Sequence, residues 1–146
     1  MSETNEKLVR AAIDAAHNAY APYSNFHVGA ALLLDDGAIV TGANFENASY
    51  GMTLCAETVA IAKANSDGQM RRIVAIAVAG GPKSSEGGAV IGAEPITPCG
   101  RCRQVIKEVA DEVAIDLPVH CAHASGYETH LLSELLPYGF GPASLR

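Results

Sequence analysis

The spacing of apolar and polar positions predicts that the chain begins with a helix and a two-stranded hairpin. Apolar residues recur every three or four positions over residues 5–19, which is typical of a helix with one buried face, and Thr4 is its predicted cap. A nearly continuous apolar run predicts a buried strand at 27–34. The Asp-Asp-Gly turn that follows predicts an antiparallel partner strand at 38–42.

Helices and strands continue to alternate through the middle of the chain. Thr53 is the predicted cap of a second helix, which runs to about residue 65 and is apolar on most sides, so it is expected to be buried. Residues 72–79 are dominated by Ile, Val and Ala, which predicts a strand covered on both faces. A long loop rich in Gly and Ser is predicted at 80–95.

The last third of the chain completes the predicted fold. A third helix is predicted at 99–111, a strand at 117–121, and a short strand or helix within 127–136. This order predicts an α/β protein, a three-layer α/β/α sandwich around one mixed sheet of about five strands. The length favours a single domain over residues 1–146. The hairpin strands are expected to be antiparallel, and strands joined by helices parallel.

The composition narrows the class of ligand and the expected location. Lys and Arg total 10 against 16 Asp and Glu, giving a net charge of −6, and the basic residues are scattered. A nucleic-acid binder would carry a basic face, so a small, weakly charged ligand is predicted instead. Neither a signal-like start nor a membrane-length apolar run is present in the sequence, so a cytoplasmic protein without a membrane partner is expected. Its four cysteines then indicate thiols or metal ligands.

Three of the cysteines have the spacing of a catalytic metal site. Cys55 is followed two positions later by Glu57, and Cys99 and Cys102 stand at positions i and i+3 of the third predicted helix, on one face of it. Three protein ligands leave zinc an open fourth position for water, and a neighbouring carboxylate can carry protons. Helix N-termini favour thiolates, which supports the placement of all three sulfurs in first turns.

Other interpretations of the cysteines remain open at this point. Cys99 and Cys102 alone fit a thioredoxin-like redox pair. A histidine could complete a closed structural zinc site in a non-catalytic interaction protein, and the five candidates are His17, His27, His120, His123 and His130. Cys121, in a predicted strand, is interpreted as a core residue. Glu57 favours the catalytic interpretation, because a structural site has no use for an acid beside the metal.

Five blocks of sequence surround these residues and extend over nearly the whole chain. They are YAPYSNFHVGAAL at 20–32, GANFENASYG at 42–51, TLCAE at 53–57, PCGRCRQ at 98–104 and LLPYGF at 135–140. In these blocks the chain resembles the small, homotetrameric, zinc-dependent cytidine deaminases. The resemblance implies a hydrolase of pyrimidine salvage that converts cytidine and 2′-deoxycytidine to uridine and 2′-deoxyuridine plus ammonia. It also implies a homotetramer whose active sites are shared between subunits.

The resemblance also assigns the catalytic residues. Cys55, Cys99 and Cys102 would hold one zinc ion per subunit, which activates the water that attacks C4. Glu57 would take a proton from that water, protonate ring N3 and later deliver a proton to the leaving ammonia. The backbone at Ala56 would contact the base.

The substrate-binding residues are implied by the same resemblance. Asn44 and Glu46 match the positions that bind the ribose 3′-hydroxyl, a role that suits an amide and a carboxylate. Phe26 would stack on the pyrimidine, and Tyr50 would help to line the sugar pocket. Phe140 would reach into the site of a neighbouring subunit. Without the resemblance, Phe26 and Phe140 would be interpreted as core residues.

Two features depart from the pattern of the family. Many relatives carry Arg directly after the catalytic Glu, where this chain has Thr58, and Arg101 between the late cysteines could supply the missing positive charge. The loop at 80–95 is longer than in most relatives and leads directly to the zinc ligands. Together these features keep an alternative open, a deaminase of the same superfamily that acts on a modified cytidine or a cytosine-nucleoside antibiotic. The sequence does not rank cytidine against 2′-deoxycytidine.

Overall fold

The computed structural model describes residues 2–146 and has the predicted α/β architecture. Helices and strands alternate along the chain, and a mixed five-stranded sheet lies between two layers of helices, as predicted. The elements are α1 Glu3–Ala15, β1 Phe26–Leu34, β2 Ile39–Ala43, α2 Ala56–Ser66, β3 Ile73–Pro82, α3 Gly100–Val113, β4 Pro118–His123, β5 Gly126–Leu131 and α4 Leu132–Leu135.

The strand order β2-β1-β3-β4-β5 brings several loops to one edge of the sheet. Strand β1 is antiparallel to both β2 and β3, β3 is parallel to β4, and β4 is antiparallel to β5. The predicted directions are therefore confirmed. Because β1 runs against its neighbours, its first residue Phe26 lies opposite Pro82 near the end of β3, and Gly29 lies opposite Ala43 at the end of β2. In open α/β sheets, this carboxyl edge is where ligands bind.

Helix α1 covers one face of the sheet, and α2 and α3 cover the other. The contacts are close because several facing positions are Gly or Ala. A Cβ atom added at Gly42 would lie 2.6 Å from the Ala56 carbonyl oxygen and 2.6 Å from the Ala60 nitrogen, both backbone atoms. Gly42 therefore allows the first turn of α2 to rest directly on β2, which positions the residues at the start of that helix.

Two predicted helix starts are wrong. Helix α1 is capped by Ser2, whose hydroxyl accepts a hydrogen bond from Asn5 N at 3.2 Å, rather than by Thr4, and regular α-helix ends at Ala15. Helix α2 begins at Ala56 with Cys55 as its cap, rather than with Thr53. The Thr53 hydroxyl instead accepts a hydrogen bond from the backbone nitrogen of residue 47, at 3.2 Å, in the preceding loop.

Three other predictions need correction. Residues 80–82 belong to β3 rather than to the loop, because β1 is long enough to pair with them. The segment 127–136 contains both a strand and a short helix, where one or the other was predicted. Ala62 of α2 is exposed, so the helix is not buried on most sides. None of the helices described within residues 2–146 combines the length and apolarity needed to cross a membrane.

Candidate active site

The N-termini of α2 and α3 meet at the carboxyl edge of the sheet and bring three cysteines together. Cys55 is the cap of α2, Cys99 is the cap of α3, and Cys102 lies in the first turn of α3. The sequence predicted that all three cysteines lie within first turns. Cys55 and Cys99 instead lie one position earlier, as the caps of their helices. Both caps stand at helix N-termini, where the positive end of each helix dipole favours a thiolate.

The spacing of the three sulfur atoms fits a zinc ion. All three Sγ atoms lie within 4.8 Å of one another, and those of Cys55 and Cys99 are 3.7 Å apart. A tetrahedral site with zinc–sulfur bonds of about 2.3 Å requires sulfurs roughly 3.8 Å apart. Among the described residues, this metal-type cluster contains cysteines and no histidine. The donor set is therefore that of an open site with three protein ligands.

Hydrogen bonding within the cluster shifts the pKa values of two of its thiols in opposite directions. A hydrogen bond from Cys102 lowers the pKa of the Cys55 thiol. The same hydrogen bond, together with burial, raises the pKa of Cys102. Because metal ligands must be thiolates, binding of a metal ion by these cysteines would release protons.

Glu57 lies two residues after the Cys55 cap and is only 4% exposed. Its burial raises the pKa of the carboxyl group above the ordinary value, since the charged form loses hydration. Glu57, Cys55 and Cys99 all line one cavity of about 370 Å³. A buried carboxyl beside a metal-ligand cluster, in contact with a cavity of this size, has the chemistry and the access to exchange protons with a molecule bound there.

The same cavity contains most of the residues predicted to bind substrate. Phe26, Asn44, Glu46 and Ala56 line it with Glu57. Six further residues of its wall were not given a role in the site from the sequence, namely Ser24, Val28, Thr53, Leu54, Ile96 and Thr97. In the structure the loop after β3 extends from residue 83 to the start of α3, so Ile96 and Thr97 belong to it. Their place just before Pro98 could have indicated them.

Two predicted substrate residues lie outside this cavity. Tyr50 lines an adjoining depression with Tyr23, and their rings are 5.8 Å apart. That depression shares Ser24 and Glu46 with the main cavity, so it forms an outward extension of it. Phe140 is 61% exposed in the C-terminal segment, where its carbonyl accepts a hydrogen bond from Gln104 at 2.7 Å. Phe140 therefore does not line the cavity of its own chain.

Asn44 holds the start of β1 through both ends of its amide. Its Oδ1 accepts from Val28 N at 2.9 Å, and its Nδ2 donates to the Phe26 carbonyl at 2.9 Å. The amide orientation is determined by these two backbone partners. One N–H of Nδ2 and one lone pair of Oδ1 remain available to a ligand.

Glu46 is held by the turn before β1. Its Oε1 accepts from the backbone nitrogens of Tyr23 and Ser24 at 2.9 and 3.2 Å, and its Oε2 accepts from the Ser24 hydroxyl. Burial alone would raise the pKa of Glu46, but these hydrogen bonds outweigh it and hold the pKa below its usual range. Glu46 is therefore a buried carboxylate with one acceptor position of Oε2 still free.

Thr58, which departs from the family pattern, contacts the cluster, and Arg101, the candidate for charge compensation, contacts the segment just before it. The Thr58 hydroxyl oxygen lies 3.4 Å from the Cys102 sulfur, on the side of the groove between α2 and α3. Arg101 is exposed, and its guanidinium donates to the Thr53 carbonyl at 3.2 Å, just before the Cys55 cap.

Comparison with known proteins identifies the class to which this site belongs. The family model of the cytidine and deoxycytidylate deaminase zinc-binding region matches residues 2–115. The chain therefore belongs to the cytidine and deoxycytidylate deaminase family, a family of zinc-binding hydrolases. Zinc is accordingly the metal that the three-cysteine cluster fits.

Individual relatives agree with this assignment. The chain is 45% identical to a cytidine deaminase of Halalkalibacterium halodurans over 136 residues, which is 92% of each chain. It is 45% identical to a cytidine deaminase of Mycobacterium tuberculosis over 131 residues, covering 89% of this chain and 84% of the relative. A solved structure of cytidine deaminase from Burkholderia pseudomallei aligns with a TM-score of 0.78 at 39% identity and covers 96% of this chain and 100% of the other.

Proposed function

We propose that this enzyme hydrolytically deaminates cytidine and 2′-deoxycytidine to uridine and 2′-deoxyuridine, with release of ammonia. The observation that carries the proposal is the common cavity, in which a three-cysteine metal site and buried Glu57 face Asn44 and Glu46. The named cytidine deaminases that match most of the chain support the same substrate class.

In this proposal the three cysteines hold the zinc ion and Glu57 moves the protons. Zinc with three protein ligands lowers the pKa of a water in its fourth position to about 7. Glu57 takes one proton from the attacking water and gives it to ring N3. It then takes the second proton of the same oxygen, as the C4 carbonyl forms, and gives it to the amino group, which leaves C4 as ammonia. The raised pKa of Glu57 supports this role, because a carboxyl group that is easily protonated can act as a base and then as an acid.

Asn44 and Glu46 are proposed to bind a single sugar hydroxyl. Their protein contacts leave one N–H donor on Asn44 and one acceptor position on Glu46 Oε2. One hydroxyl can satisfy both, since it accepts one hydrogen bond and donates another. A nucleoside that lacks the hydroxyl would leave these buried groups unpaired, which is the basis of strong discrimination.

The remaining cavity residues are proposed to hold the base. Phe26 is 37% exposed and lines the cavity, so its ring is available to stack on a pyrimidine. Ala56 is the first residue of α2 and lines the same cavity, where the free N–H groups of a helix start can donate to a base carbonyl. Tyr50 is proposed to extend the sugar side of the pocket.

The proposed reaction is tested by following the absorbance of the cytosine ring with the purified zinc-loaded protein. Cytidine, 2′-deoxycytidine, cytosine and CMP are compared at equal concentration. We expect loss of absorbance for the two nucleosides and much slower loss for cytosine, which has no sugar hydroxyl to bind. Turnover of cytosine at the rate of cytidine would contradict the proposed role of Asn44 and Glu46.

A second candidate function is deamination of a modified cytidine or a cytosine-nucleoside antibiotic. The observation that favours it is the contribution of the long loop to the cavity wall through Ile96 and Thr97. A panel of 5- and N4-substituted cytidines, assayed with the intact protein and with residues 84–92 trimmed, separates the two candidates. If the relative rates for these substrates stay unchanged after trimming, the loop has no role in substrate selection.

The active enzyme is proposed to be a homotetramer with shared sites. The support is a set of large apolar side chains exposed around the cavity and on the C-terminal segment, namely Tyr20, Tyr23, Phe45, Tyr50, Tyr138 and Phe140. Exposed apolar surface of this kind is typical of protein interfaces. A reducing cytoplasm, in which three thiols stay free to bind zinc, is the proposed location and pyrimidine salvage the proposed role.

Phe140→Ala tests whether the site is shared. We expect KM for cytidine to rise about 10-fold, because an aromatic contact supplied by a neighbouring subunit would be lost. KM for cytidine is measured by steady-state kinetics, and the mass of the assembly is measured by sedimentation at the same protein concentration. An unchanged KM in an intact tetramer would contradict the role of Phe140, and a monomeric, fully active wild-type protein would contradict the shared site.

Thr58→Val is expected to weaken zinc binding by about 10–100-fold, the range typical of a lost partner of a metal ligand. A zinc-bound thiolate has no proton, so in the 3.4 Å contact with Cys102 the Thr58 hydroxyl must be the donor. Valine keeps the volume and removes the donor. Zinc affinity is measured by competition with a chromogenic chelator, and Thr58→Ser, which keeps the hydroxyl, is the control. Equal affinity for Val and Ser variants would contradict the contact.

Arg101→Gln is expected to lower zinc affinity and kcat by about 3- to 10-fold if its positive charge compensates for the thiolates. The guanidinium is exposed, so the effect should shrink as salt is raised. Arg101→Lys keeps the charge and serves as the matched control. A Gln variant with unchanged kcat and zinc retention would limit Arg101 to its hydrogen bond with the Thr53 carbonyl.

A further inference from the structure

The Ser24 hydroxyl joins two parts of the cavity that bind different parts of a nucleoside. It donates a hydrogen bond to Glu46 Oε2 and accepts one from Phe26 N at 3.0 Å. Both of its hydrogen-bonding directions are therefore used within the site, one on the proposed sugar-binding carboxylate and one on the backbone of the proposed base-stacking residue.

The backbone of Phe26 is held at both ends by this arrangement. Its N–H is bound by the Ser24 hydroxyl, and its carbonyl is bound by the amide of Asn44 at 2.9 Å. Asn25, between Ser24 and Phe26, has a left-handed φ of 56°, so the chain makes a sharp turn here. Just before this turn, the Tyr23 and Ser24 nitrogens and the Ser24 hydroxyl all donate to the one carboxylate of Glu46.

We propose that Ser24 is a positioning residue that aligns Glu46 with Phe26 and thereby determines how strongly the enzyme selects for the sugar hydroxyl. The inference rests on the proposed function and adds a determinant of sugar specificity to it. Ser24 needs no contact with the substrate in this role. It sets which lone pair of Glu46 Oε2 stays free, and it sets the height of the Phe26 ring relative to that lone pair.

Removal of the hydroxyl has two separate consequences. Glu46 loses a charge-assisted hydrogen bond, so its carboxylate can rotate and its free acceptor position is no longer fixed. The N–H of Phe26 loses its partner, so the start of β1 loses one of the hydrogen bonds that hold it. The first change weakens binding only of a nucleoside that has the sugar hydroxyl, whereas the second weakens binding of every nucleoside.

The test compares Ser24→Ala with the wild-type enzyme on cytidine and 3′-deoxycytidine. We expect kcat/KM for cytidine to fall about 10-fold more than that for 3′-deoxycytidine, mainly through KM, which is the size expected for a hydrogen bond to a charged group. Ser24→Thr keeps a hydroxyl and is expected to restore the preference.

The chain offers a matched control in Ser84. Its hydroxyl also accepts from a backbone nitrogen two residues later, that of Glu86 at 3.2 Å, but in an exposed loop. Ser84→Ala should leave the preference for cytidine over 3′-deoxycytidine unchanged. Circular dichroism and thermal melting of all variants check that they are folded.

Two results would overturn the inference. If Ser24→Ala lowers kcat/KM equally for both substrates, Ser24 has only a structural role. If Ser24→Thr does not restore the preference, the hydroxyl of residue 24 does not determine it. Calorimetric binding of uridine and 3′-deoxyuridine repeats the comparison without turnover. If the wild-type enzyme deaminated neither nucleoside, the proposed function would fail, and this binding comparison would still decide the role of Ser24.

Discussion

Glu57→Gln is expected to lower kcat for cytidine by a factor of about 10²–10⁴, the range over which a positioned acid–base group accelerates reactions. Glutamine has nearly the same size but can neither accept the proton of the attacking water nor deliver one to the base. The side chain is 4% exposed and lines the cavity beside Cys55 and Cys99, so bulk water is poorly placed to replace it. Steady-state kinetics with the zinc-loaded variant measure the effect.

The control for this prediction separates proton transfer from folding and metal binding. Zinc content and melting temperature are measured on the same preparation, and both should stay close to those of the wild-type protein. Glu86→Gln changes an exposed glutamate in the loop and should leave kcat unaltered. A folded Glu57→Gln variant with one zinc per chain and more than a tenth of the wild-type kcat would exclude Glu57 as the proton carrier.

Cys102→Ser is expected to lower zinc affinity by more than 100-fold and to abolish turnover. Cys102 is fully buried. Its sulfur is one of the three Sγ atoms that lie within 4.8 Å of one another. A serine hydroxyl is a far poorer zinc ligand at neutral pH, because it stays protonated where a thiolate does not. Zinc per chain after dialysis against a chelator measures the effect, with turnover of cytidine in the same samples.

Cys121 provides the matched control for this substitution. It is also fully buried, but in the sheet, where it packs with Val78 and Val119. Burial raises the pKa of the Cys121 thiol to about 11, so it stays protonated and is not activated as a ligand. Cys121→Ser should therefore keep one zinc per chain. Equal zinc retention by both serine variants would contradict the three-cysteine site, and loss of zinc in Cys121→Ser alone would exclude it.

The fold was predictable largely because hydrophobic periodicity differs between helices and strands. The apolar run of β1, the turn at 35–37 and the Ile/Val/Ala run of β3 each satisfy one pattern only. The two wrong helix starts fall where more than one residue could cap the helix. Thr53 has the composition of a helix cap, yet its hydroxyl accepts from the preceding loop at 3.2 Å, and Cys55 becomes the cap.

The predictability of the candidate site differs between its parts. Cys99 and Cys102 share a helix face at their spacing in any fold that contains the helix. That Cys55 joins them depends on the sheet order, which places the starts of α2 and α3 at the same edge. The resemblance to a family could indicate the partnership from sequence, whereas periodicity and spacing could not.

By itself, the sequence determined the alternation of elements, the chemistry of the metal donors and the resemblance that carries the substrate class. These depend on residue type and on spacing along the chain. Only the tertiary structure decided that Ser24 links Glu46 to Phe26, that Thr58 contacts Cys102, and that Phe140 lies outside its own chain's cavity. The contacts of Ser24 with Glu46 and of Thr58 with Cys102 join residues that are 22 and 44 positions apart in the sequence. Their geometry depends on how the sheet and helices pack, which local patterns of apolar and polar residues do not specify.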